Sequence, residues 1–441
     1  MTEPAAFGRV ADPAARPRVA VIGAGWAGLA AAVELCDAGC ELSLFEMAAE
    51  AGGRARGVDH RGSRIDNGQH IMIGAYRASL ALMTRLGIDA DRALKRLPLT
   101  LRYPDGRGLA LRPGPPWLAF PRAIASARGW TWSERLALLR TCAGWLAAGF
   151  HCGPDLTVSE LCADLPAALR TDLIEPLCVA ALNTRADQAS AEVWLRILRD
   201  TLFGGRGSAD LLLPRATLDQ LLPAPALAWL RERGAAIELG RRVHRLETEG
   251  AGWRVDGVRF DRVVLACSST EAARLVRPLS EAWATLADDL QFEPIVTVHL
   301  RASGARLPVP MMALSAGVDA PAQFLFDHGA LSGADGRLAA VISAAAPWLE
   351  RGLQSTAAAT MEQIAREFAS QPWARSLRVV ATLADKRATF RCSPRLRRPS
   401  AAIAPGLWAA GDYVDGPYPA TLEGAVRSGS AVGIAAAAGP V

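Results

Sequence analysis

Three glycines near the start of the chain have the spacing of a phosphate-binding turn. Gly23, Gly25 and Gly28 form the pattern GxGxxG directly after a short β-branched segment, Arg18 to Ile22. In such a turn the first glycine permits a tight reversal, the second lets the backbone approach a pyrophosphate, and the third allows close packing of helix on strand. The helix that follows offers free N–H groups and a positive dipole end to an anion. The spacing therefore predicts that a dinucleotide binds here.

An acidic residue follows at the distance that suits a ribose contact. Glu46 ends the predicted strand that begins at Glu41, about 20 residues after the glycines, where a carboxylate can accept hydrogen bonds from ribose hydroxyls. An alanine-rich helix, predicted over residues 27–38, separates this strand from the first. Because strand, turn, helix and strand follow one another within about 30 residues, the glycine pattern has the context that makes it specific.

The segment after Glu46 distinguishes a flavin from a nicotinamide dinucleotide. Gly52-Gly53-Arg54-Ala55-Arg56 resembles the GG-R-x-R extension of flavoproteins in the amine oxidase and phytoene desaturase superfamily. In that superfamily the arginine supplies cationic contacts near the pyrophosphate. A basic surface turn is the alternative interpretation. The resemblance implies FAD as the cofactor.

A polar loop between apolar stretches is a candidate for the flavin end of this cofactor. It reads Asp66-Asn67-Gly68-Gln69-His70. Gly68 would allow a close approach to the flavin ring. His70 either anchors the loop or lies beside the ring.

The C-terminal segment predicts a second contact with the same cofactor. Gly411 and Asp412 follow a buried-strand pattern, and Asp412 could hold a ribityl or phosphate-side hydroxyl. A helix predicted from Thr421 would point its positive end at the flavin and stabilise the anion of reduced flavin. In full, the predicted FAD contacts are Gly23, Gly25, Trp26, Ala27, Gly28, Glu46, Gly53, Arg54, Arg56, Gly68, Gln69, Val243, Gly411, Asp412, Thr421 and Leu422.

Longer stretches of the chain resemble one family within this superfamily. Asp66-Asn-Gly-Gln-His-Ile-Met-Ile-Gly74 is similar to the signature of squalene-associated FAD-dependent enzymes, the hydroxysqualene dehydroxylases of hopanoid biosynthesis. Further similar stretches are residues 176–184, 212–215, 386–390 and 422–429, so the resemblance extends from residue 18 to residue 433. The sequence departs from the family pattern at Tyr413, where we expect tryptophan or a small residue. The resemblance therefore does not define the pocket wall at this position.

The resemblance implies reduction of hydroxysqualene, a C30 allylic alcohol, to squalene, with hydride from reduced flavin. This reaction needs a general acid for the leaving hydroxyl, aromatic faces for an allylic cation, and an apolar pocket that excludes water. His70, Tyr418 and Glu293 are candidates for the acid, although each also suits a structural role. A carotenoid or polyene desaturase of the same superfamily is the alternative enzyme. A non-catalytic escort protein for a prenyl lipid is the alternative of another class.

Composition and charge argue against other classes. The chain has 441 residues and a net charge of +5, without the concentrated basic face and interleaved aromatic residues that nucleic-acid binding needs. Its eight cysteines form no CxxC pair, so we expect reduced thiols and no metal. The sequence contains no uninterrupted run of about 18 apolar residues, so no membrane-spanning helix is predicted. We expect a cytoplasmic protein, with peripheral contact to the inner face of the membrane and association with other squalene-pathway enzymes as further options.

The order of elements predicts an α/β fold with a discontinuous, Rossmann-like FAD-binding domain and a second α+β substrate-binding domain rich in helices. The FAD-binding domain is predicted from residues 17–75, 215–270 and 400–441, and the substrate-binding domain from 76–214 and 271–399, after a disordered lead-in over 1–16. In the first domain a helix is predicted over 218–233, followed by strands over 236–247 and 252–260. In the second, strands are predicted over 292–301 and 338–345 and a helix over 355–370.

Two segments of the predicted substrate-binding domain have open interpretations. A helix is predicted over residues 132–150, and its apolar stripe is expected in the core, or else to form a lid or a face on a membrane. The stripe consists of Leu136, Leu139, Ala143, Leu146 and Phe150. Basic residues between 378 and 398 are expected on a solvated surface, or else at a lipid headgroup.

Overall fold

The computed structural model describes residues 16–112 and 114–439, so the predicted lead-in lies outside the described residues apart from Arg16. The described helices are α1 (Trp26–Asp37), α2 (Arg77–Arg85), α3 (Ala90–Ala93), α4 (Pro116–Ser126), α5 (Trp132–Ala147), α6 (Val158–Leu161), α7 (Ala167–Leu169), α8 (Glu175–Leu182), α9 (Ala191–Phe203), α10 (Leu218–Leu221), α11 (Pro223–Glu232), α12 (Ser269–Val276), α13 (Glu281–Asp288), α14 (His328–Ser332), α15 (Ala346–Glu350), α16 (Leu353–Glu367) and α17 (Leu422–Ala438). The described strands are β1 (Arg18–Ile22), β2 (Glu41–Glu46), β3 (Gly57–His60), β4 (Ser63–Asp66), β5 (Met72–Ile73), β6 (Leu94–Leu97), β7 (Thr100–Arg102), β8 (Gly108–Ala110), β9 (Leu211–Pro214), β10 (Ala236–Leu239), β11 (Leu246–Glu249), β12 (Gly252–Val255), β13 (Val258–Phe260), β14 (Arg262–Leu265), β15 (Phe292–Arg301), β16 (Met311–Ala313), β17 (Phe324–Asp327), β18 (Arg337–Ile342), β19 (Arg378–Phe390), β20 (Ala402–Ala404) and β21 (Leu407–Ala409).

A six-stranded sheet brings the predicted dinucleotide-binding segments together. Its order is β10-β2-β1-β14-β21-β20, parallel except for β20 at one edge. In β1, Val19, Ala20 and Val21 are fully buried, as expected for a parallel strand that is covered on both faces. The strands come from three distant parts of the chain, in line with the discontinuity that the sequence predicts. The division into two domains stays a prediction.

Helix α17 packs against α1 and so joins the two ends of the chain. A Cβ added at Gly429 would lie 2.1 Å from the carbonyl oxygen of Ala27, and one at Gly433 would lie 2.8 Å from that of Ala31. Only glycine, which has no Cβ, permits two helix backbones to approach so closely. Because α1 follows the glycine turn and α17 follows the Asp412 loop, this contact fixes the two predicted halves of the cofactor site relative to each other.

A second, antiparallel sheet has the order β16-β17-β18-β15-β19. The strands predicted over 292–301 and 338–345 correspond to β15 and β18, and the helix predicted over 355–370 corresponds to α16. The segment predicted as solvated surface contains the thirteen-residue edge strand β19. Arg378, Lys386 and Arg387 on this strand are exposed, and charged side chains of this kind discourage edge-to-edge pairing with another chain.

The apolar stripe of α5 is the clearest departure from the sequence prediction. Leu136 is 46% exposed and Leu146 is 52% exposed, whereas Leu138 and Trp145 on the opposite side are buried. The Trp145 ring meets that of Trp194 edge to face, with centroids 5.3 Å apart. The expectation that the stripe forms core is therefore wrong at Leu136 and Leu146. The helix is apolar on two sides, and its other side faces the core.

Three predicted elements are each divided in the structure. The strand predicted over 236–247 is divided into β10 and β11. The strand predicted over 252–260 is a hairpin, since Asp256 and Gly257 form a two-residue turn with φ values of 44° and 85°. The helix predicted over 218–233 is interrupted before Pro223, which begins α11. None of the helices in the described part of the chain is long and apolar enough to cross a membrane.

Candidate active site

The glycine turn joins β1 to α1 and leaves open space only at its middle glycine. Gly23 has a φ of 111°, and an added Cβ would lie 2.5 Å from the Ala266 carbonyl oxygen. A Cβ at Gly28 would lie 1.9 Å from the Gly23 carbonyl oxygen, so no side chain fits there. At Gly25 the nearest atom to such a Cβ is the Cα of Gly53, 3.9 Å away. The backbone around Gly25 therefore forms a cradle that a pyrophosphate can approach.

Glu46 fastens this turn to the neighbouring strand. The side chain is 8% exposed at the end of β2. One carboxylate oxygen accepts a hydrogen bond from the Ala24 backbone N–H at 2.7 Å, and the other accepts one from Ala48 at 2.8 Å. A carboxylate has about four acceptor positions, so acceptor capacity remains for ribose hydroxyls. The structure thus adds a positioning role to the ribose contact, which itself stays a prediction.

A polar network joins three segments: the glycine–arginine segment (residues 52–56), the NGQH loop (residues 66–70) and the C-terminal loop that contains Gly411 and Asp412. Arg54 donates to the Ala388 carbonyl oxygen on β19 at 2.8 Å and pairs with Asp412, which is 7% exposed. Asn67 donates to the Arg54 carbonyl oxygen at 2.6 Å and accepts from the Arg56 N–H at 3.3 Å. Three segments that the sequence predicts as cofactor contacts therefore meet at one place.

A cavity of about 370 Å³ opens at this network, within the usual size range of ligand sites. Its lining residues come from the glycine–arginine segment, the NGQH loop and β19; they are Gly53, Arg54, Arg56, Val58, Asn67, Leu383, Ala384 and Asp385. The two arginines give this cavity positive charge, which suits phosphate groups and the anion of a reduced flavin. The lining is polar, so the cavity suits a cofactor better than a hydrocarbon.

His70 lies in the NGQH loop, close to the second sheet. Its Nδ1 is 2.9 Å from the Gly68 carbonyl oxygen, so Nδ1 carries a proton and donates it to that oxygen. Burial lowers the pKa of His70, which favours the neutral imidazole with a free acceptor at Nε2. A Cβ added at Gly68 would lie 3.8 Å both from His70 Cε1 and from Thr297 Oγ1. The space above Gly68 is therefore bordered by these two polar side chains.

Tyr418 precedes α17, and its hydroxyl donates a hydrogen bond to the Asp200 carboxylate on α9 at 3.1 Å. The guanidinium groups of Arg196 and Arg427 lie over its ring, 5.5 and 4.8 Å from the ring centroid. Burial raises the pKa of Tyr418, so the hydroxyl is protonated at neutral pH. That proton is already engaged by Asp200.

Glu293 lies on β15 and is 5% exposed. One carboxylate oxygen accepts hydrogen bonds from Arg391 Nη2 at 2.9 Å and from Nε at 3.2 Å, so the side chain is engaged in an ion pair. Its backbone carbonyl accepts from Asn183 at 3.0 Å. Asn183 also binds Thr389 and the N–H of Ala344, so the Leu-Asn-Thr stretch braces the second sheet. The catalytic roles of His70, Tyr418 and Glu293 stay predictions.

Buried polar atoms without a partner among the described residues test whether FAD fits here. They include Trp26 Nε1, Gln69 Oε1, Thr297 Oγ1 and the Tyr413 hydroxyl, all on segments that contribute to the site. An unpaired buried polar group costs about 1–3 kcal/mol, so each of these atoms indicates a contact that a bound molecule can complete. FAD, which has many donors and acceptors, fits this set together with the open backbone at Gly25.

The other residues predicted to contact the cofactor make hydrogen bonds within the protein. Thr421 accepts a hydrogen bond from the Gly424 N–H at 3.0 Å and so caps α17, which Leu422 begins. Gly411 donates its N–H to Ser428 Oγ at 3.0 Å. Val243 is buried, and its carbonyl accepts from an arginine of α12 at 2.6 Å. Their contacts with the cofactor stay predictions.

Sequence reasoning missed three residues of this site. Asn67 was available from its place in the NGQH loop, where its side chain clamps the arginine segment. Asp385 lines the cavity from β19, one residue before the stretch that resembles the family. Thr297 lies in the middle of β15, and only its buried, unpartnered hydroxyl distinguishes it from its neighbours.

The parallel sheet, the glycine turn, the carboxylate beside it and the arginine-lined cavity define an FAD-dependent oxidoreductase. The pattern of one family, described as flavin containing amine oxidoreductase, matches residues 26–433. The chain therefore belongs to this family, and its cofactor is FAD.

The sequence and the fold are also similar to those of individual proteins of known sequence or structure. The hydroxysqualene dehydroxylases of Rhodopseudomonas palustris and Zymomonas mobilis are 29% and 26% identical to this chain, and both alignments cover 93% of this chain and 96% of the relative. A zeta-carotene desaturase of Synechocystis is 41% identical over 20% of this chain and 19% of the relative. An oxidoreductase structure from Methanosarcina mazei has a TM-score of 0.70 over 94% of this chain and 99% of that chain, at 17% identity, which shows the fold. The predicted family resemblance, fold class and cofactor are confirmed.

Proposed function

We propose that this chain reduces hydroxysqualene to squalene in hopanoid biosynthesis. The allylic hydroxyl would take up a proton and leave as water, and a hydride, which FAD would supply when bound in its reduced form, would replace it at carbon. The observation that carries this proposal is the full-length likeness to hydroxysqualene dehydroxylases. The likeness to zeta-carotene desaturases covers less of the chain: a fifth of it for the Synechocystis protein, and 65% of it at 26% identity for a probable zeta-carotene desaturase of Synechococcus elongatus. The NGQH loop beside the cavity supports the proposal, because residues outside the shared FAD motifs distinguish one substrate from another.

In this proposal the chain's own residues bind the cofactor and supply the proton. Bound in its reduced form, FAD supplies the hydride equivalent. Arg54 and Asp412 hold the cavity wall and place positive charge beside the cofactor. Asn67 fixes the loop that carries His70.

Of the three candidate acids, we rank His70 first. Protonation at Nε2 leaves its bond from Nδ1 to the Gly68 carbonyl oxygen intact. Tyr418 would first have to give up its bond to Asp200, and Glu293 its ion pair with Arg391. Burial lowers the pKa of His70, so its imidazolium is a stronger acid than that of ordinary histidine and forms at lower pH.

The substrate in this proposal is a hydrophobic C30 isoprenoid, for which helices of residues 76–214 provide apolar walls. Such a molecule partitions into bilayers, so we place the enzyme in the cytoplasm with peripheral contact to the inner face of the membrane. Association with other squalene-pathway enzymes stays a prediction.

An anaerobic assay tests the reaction and its direction. Purified holoenzyme receives hydroxysqualene with FAD and a chemical reductant, and gas chromatography measures squalene. We expect squalene only when the flavin is reduced. His70→Gln, which keeps a polar side chain without an acidic proton, should retain FAD absorbance and lose turnover.

Two results would contradict the proposal. If the flavin is bound and reducible but no squalene forms, the dehydroxylase function fails, and zeta-carotene with oxidised flavin then tests the desaturase alternative. If neither substrate reacts while a prenyl lipid binds, the escort function is favoured. If His70→Gln turns over normally, the dehydroxylase proposal stands and the ranking of the acids is wrong.

A further inference from the structure

Helices α4 and α5 present apolar side chains to solvent on neighbouring surfaces. Trp117 on α4 is 65% exposed and Trp132 on α5 is 73% exposed. The two helices pack together, are joined by residues 127–131, and are linked where Arg135 donates to the Ala125 carbonyl oxygen at 2.8 Å. Exposed tryptophans are costly in water and are typical of the boundary between water and lipid. We call this surface the α4–α5 face and define it by Trp117, Trp132, Leu136 and Leu146.

The exposed apolar residues of α5 form a single stripe with arginine on both sides. At about 100° per residue, Trp132, Leu136, Ala143 and Leu146 fall within an arc of about 80°. All four are exposed. Arg135 and Arg140 lie on opposite flanks of this arc, and the Arg135 guanidinium stacks on Trp132 with 4.7 Å to the ring centroid. An apolar stripe with flanking arginines is the arrangement of a helix that lies in the plane of a membrane surface.

The charge of this region is strongly one-sided. From residue 112 to residue 154 the charged residues are five arginines and a single acid, Glu134. Glu134 is engaged within the protein, where its carboxylate accepts from the Thr131 N–H at 2.7 Å and completes the cap of α5. Arg122, Arg128 and Arg140 are exposed. The face therefore complements an anionic surface.

A second cavity, of about 330 Å³, extends the cationic zone beyond α4. Arg112 and Arg206 line it from separate parts of the chain, together with Ala119 of α4. Arg96, also in the lining, pairs with Asp210 at 3.1 Å. The two exposed arginines add positive charge at the end of the face that carries Trp117.

We propose that the α4–α5 face is a membrane-docking surface that inserts Trp117, Trp132, Leu136 and Leu146 into the interfacial layer of a bilayer containing anionic phospholipid. Its arginines contact the headgroups, and α5 lies along the membrane plane. Charge selects the bilayer over a second copy of this chain, since two such faces would bring like charges together. The inference concerns binding and does not depend on which reaction the enzyme catalyses.

Vesicle flotation of the FAD-loaded protein tests this inference without any substrate. Vesicles contain equal parts of phosphatidylglycerol and phosphatidylcholine, or phosphatidylcholine alone. We expect flotation with the anionic vesicles at about 0.1 M salt and much less at about 1 M. Leu136→Ser with Leu146→Ser should weaken binding roughly tenfold or more, because apolar area no longer enters the lipid. Arg122→Gln with Arg140→Gln should weaken it by a similar factor at low salt.

The matched control is Val318→Ser, which removes a side chain that is 77% exposed outside this face and should leave flotation unchanged. FAD absorbance and the urea midpoint show that each variant is folded. Failure of the folded wild-type protein to float with either vesicle overturns the inference. So does normal flotation of the leucine double variant, or an equal loss in Val318→Ser. A wild-type dimer in light scattering that the leucine variant converts to monomer, without vesicle binding, would identify the face as a self-interface instead.

Discussion

Replacing Gly429 by alanine tests whether contact between the two ends of the chain builds the cofactor site. The new Cβ would lie 2.1 Å from the Ala27 carbonyl oxygen, where ordinary contacts are at least 3.4 Å. Since the atom it meets is backbone, the clash cannot be relieved by a side-chain rotation, and α17 must move from α1 by roughly 1 Å. Ala27 follows Gly25 by two residues, so the pyrophosphate cradle moves with it.

The magnitude follows from two opposing terms. Alanine is a better helix former than glycine by about 0.5–1 kcal/mol. Overpacking costs about 1–3 kcal/mol. Gly144 in α5 is a matched control, since a Cβ there meets no atom within 4 Å. Gly144→Ala should therefore stabilise the protein by the first term alone, and the two variants should differ in stability by about 1–3 kcal/mol, the overpacking term.

Urea unfolding of both variants measures the free-energy difference, and fluorescence titration with FAD measures affinity. We expect Gly429→Ala to bind FAD about tenfold or more weakly, because a ligand site tolerates only about 0.5 Å of displacement. Gly144→Ala should bind FAD as the wild type does. Equal stability of the two variants, together with wild-type FAD affinity in Gly429→Ala, would refute the reasoning that this helix contact positions the turn.

Three further predictions concern single side chains and pH. Asp412→Asn should weaken FAD binding about tenfold or more in the same titration, since it leaves the charge of Arg54 without its partner. Burial raises the pKa of Asp66 to about 7, so its contribution to stability is complete below about pH 4 and is lost as pH rises to about 7. Asp66→Asn should remove that loss, on the order of 4 kcal/mol, and the difference in unfolding free energy between variant and wild type should widen from pH 4 to 7 and then stay constant. Single-turnover rates of pre-reduced enzyme should rise as pH falls towards and below 6.5 if His70 is the acid, whereas a pH-independent rate would favour Tyr418.

The cofactor half of the molecule was predictable because its chemistry is local. Gly23, Gly25 and Gly28 lie between β1 and α1, the strand and helix that make the glycine pattern specific, and Glu46 ends the next strand. What the sequence did not reveal is the tertiary contact that completes the site. Gly429 packs on α1 from four hundred residues away, and nothing near it in sequence indicates its partner.

The other half was predicted less well because packing decides it. Periodicity placed a helix correctly at α5. A helix that is apolar on two sides has no single direction to the core, and Leu136, Ala143 and Leu146 of the predicted stripe are exposed. Thr297 is another example. In sequence it is one residue of a strand, and only the approach of Gly68 and His70 from another part of the chain makes its hydroxyl conspicuous.

Helix α9 connects the proposed membrane face to the proposed reaction site. Asp200 on α9 accepts from Tyr418, which stands just before the helix predicted to face the flavin. Three residues later Phe203 is 43% exposed and packs on Phe150, directly after α5, with ring centroids 5.2 Å apart. Because Asp200 and Phe203 lie about one helical turn apart, α9 contacts both the segment before α17 and the segment after α5.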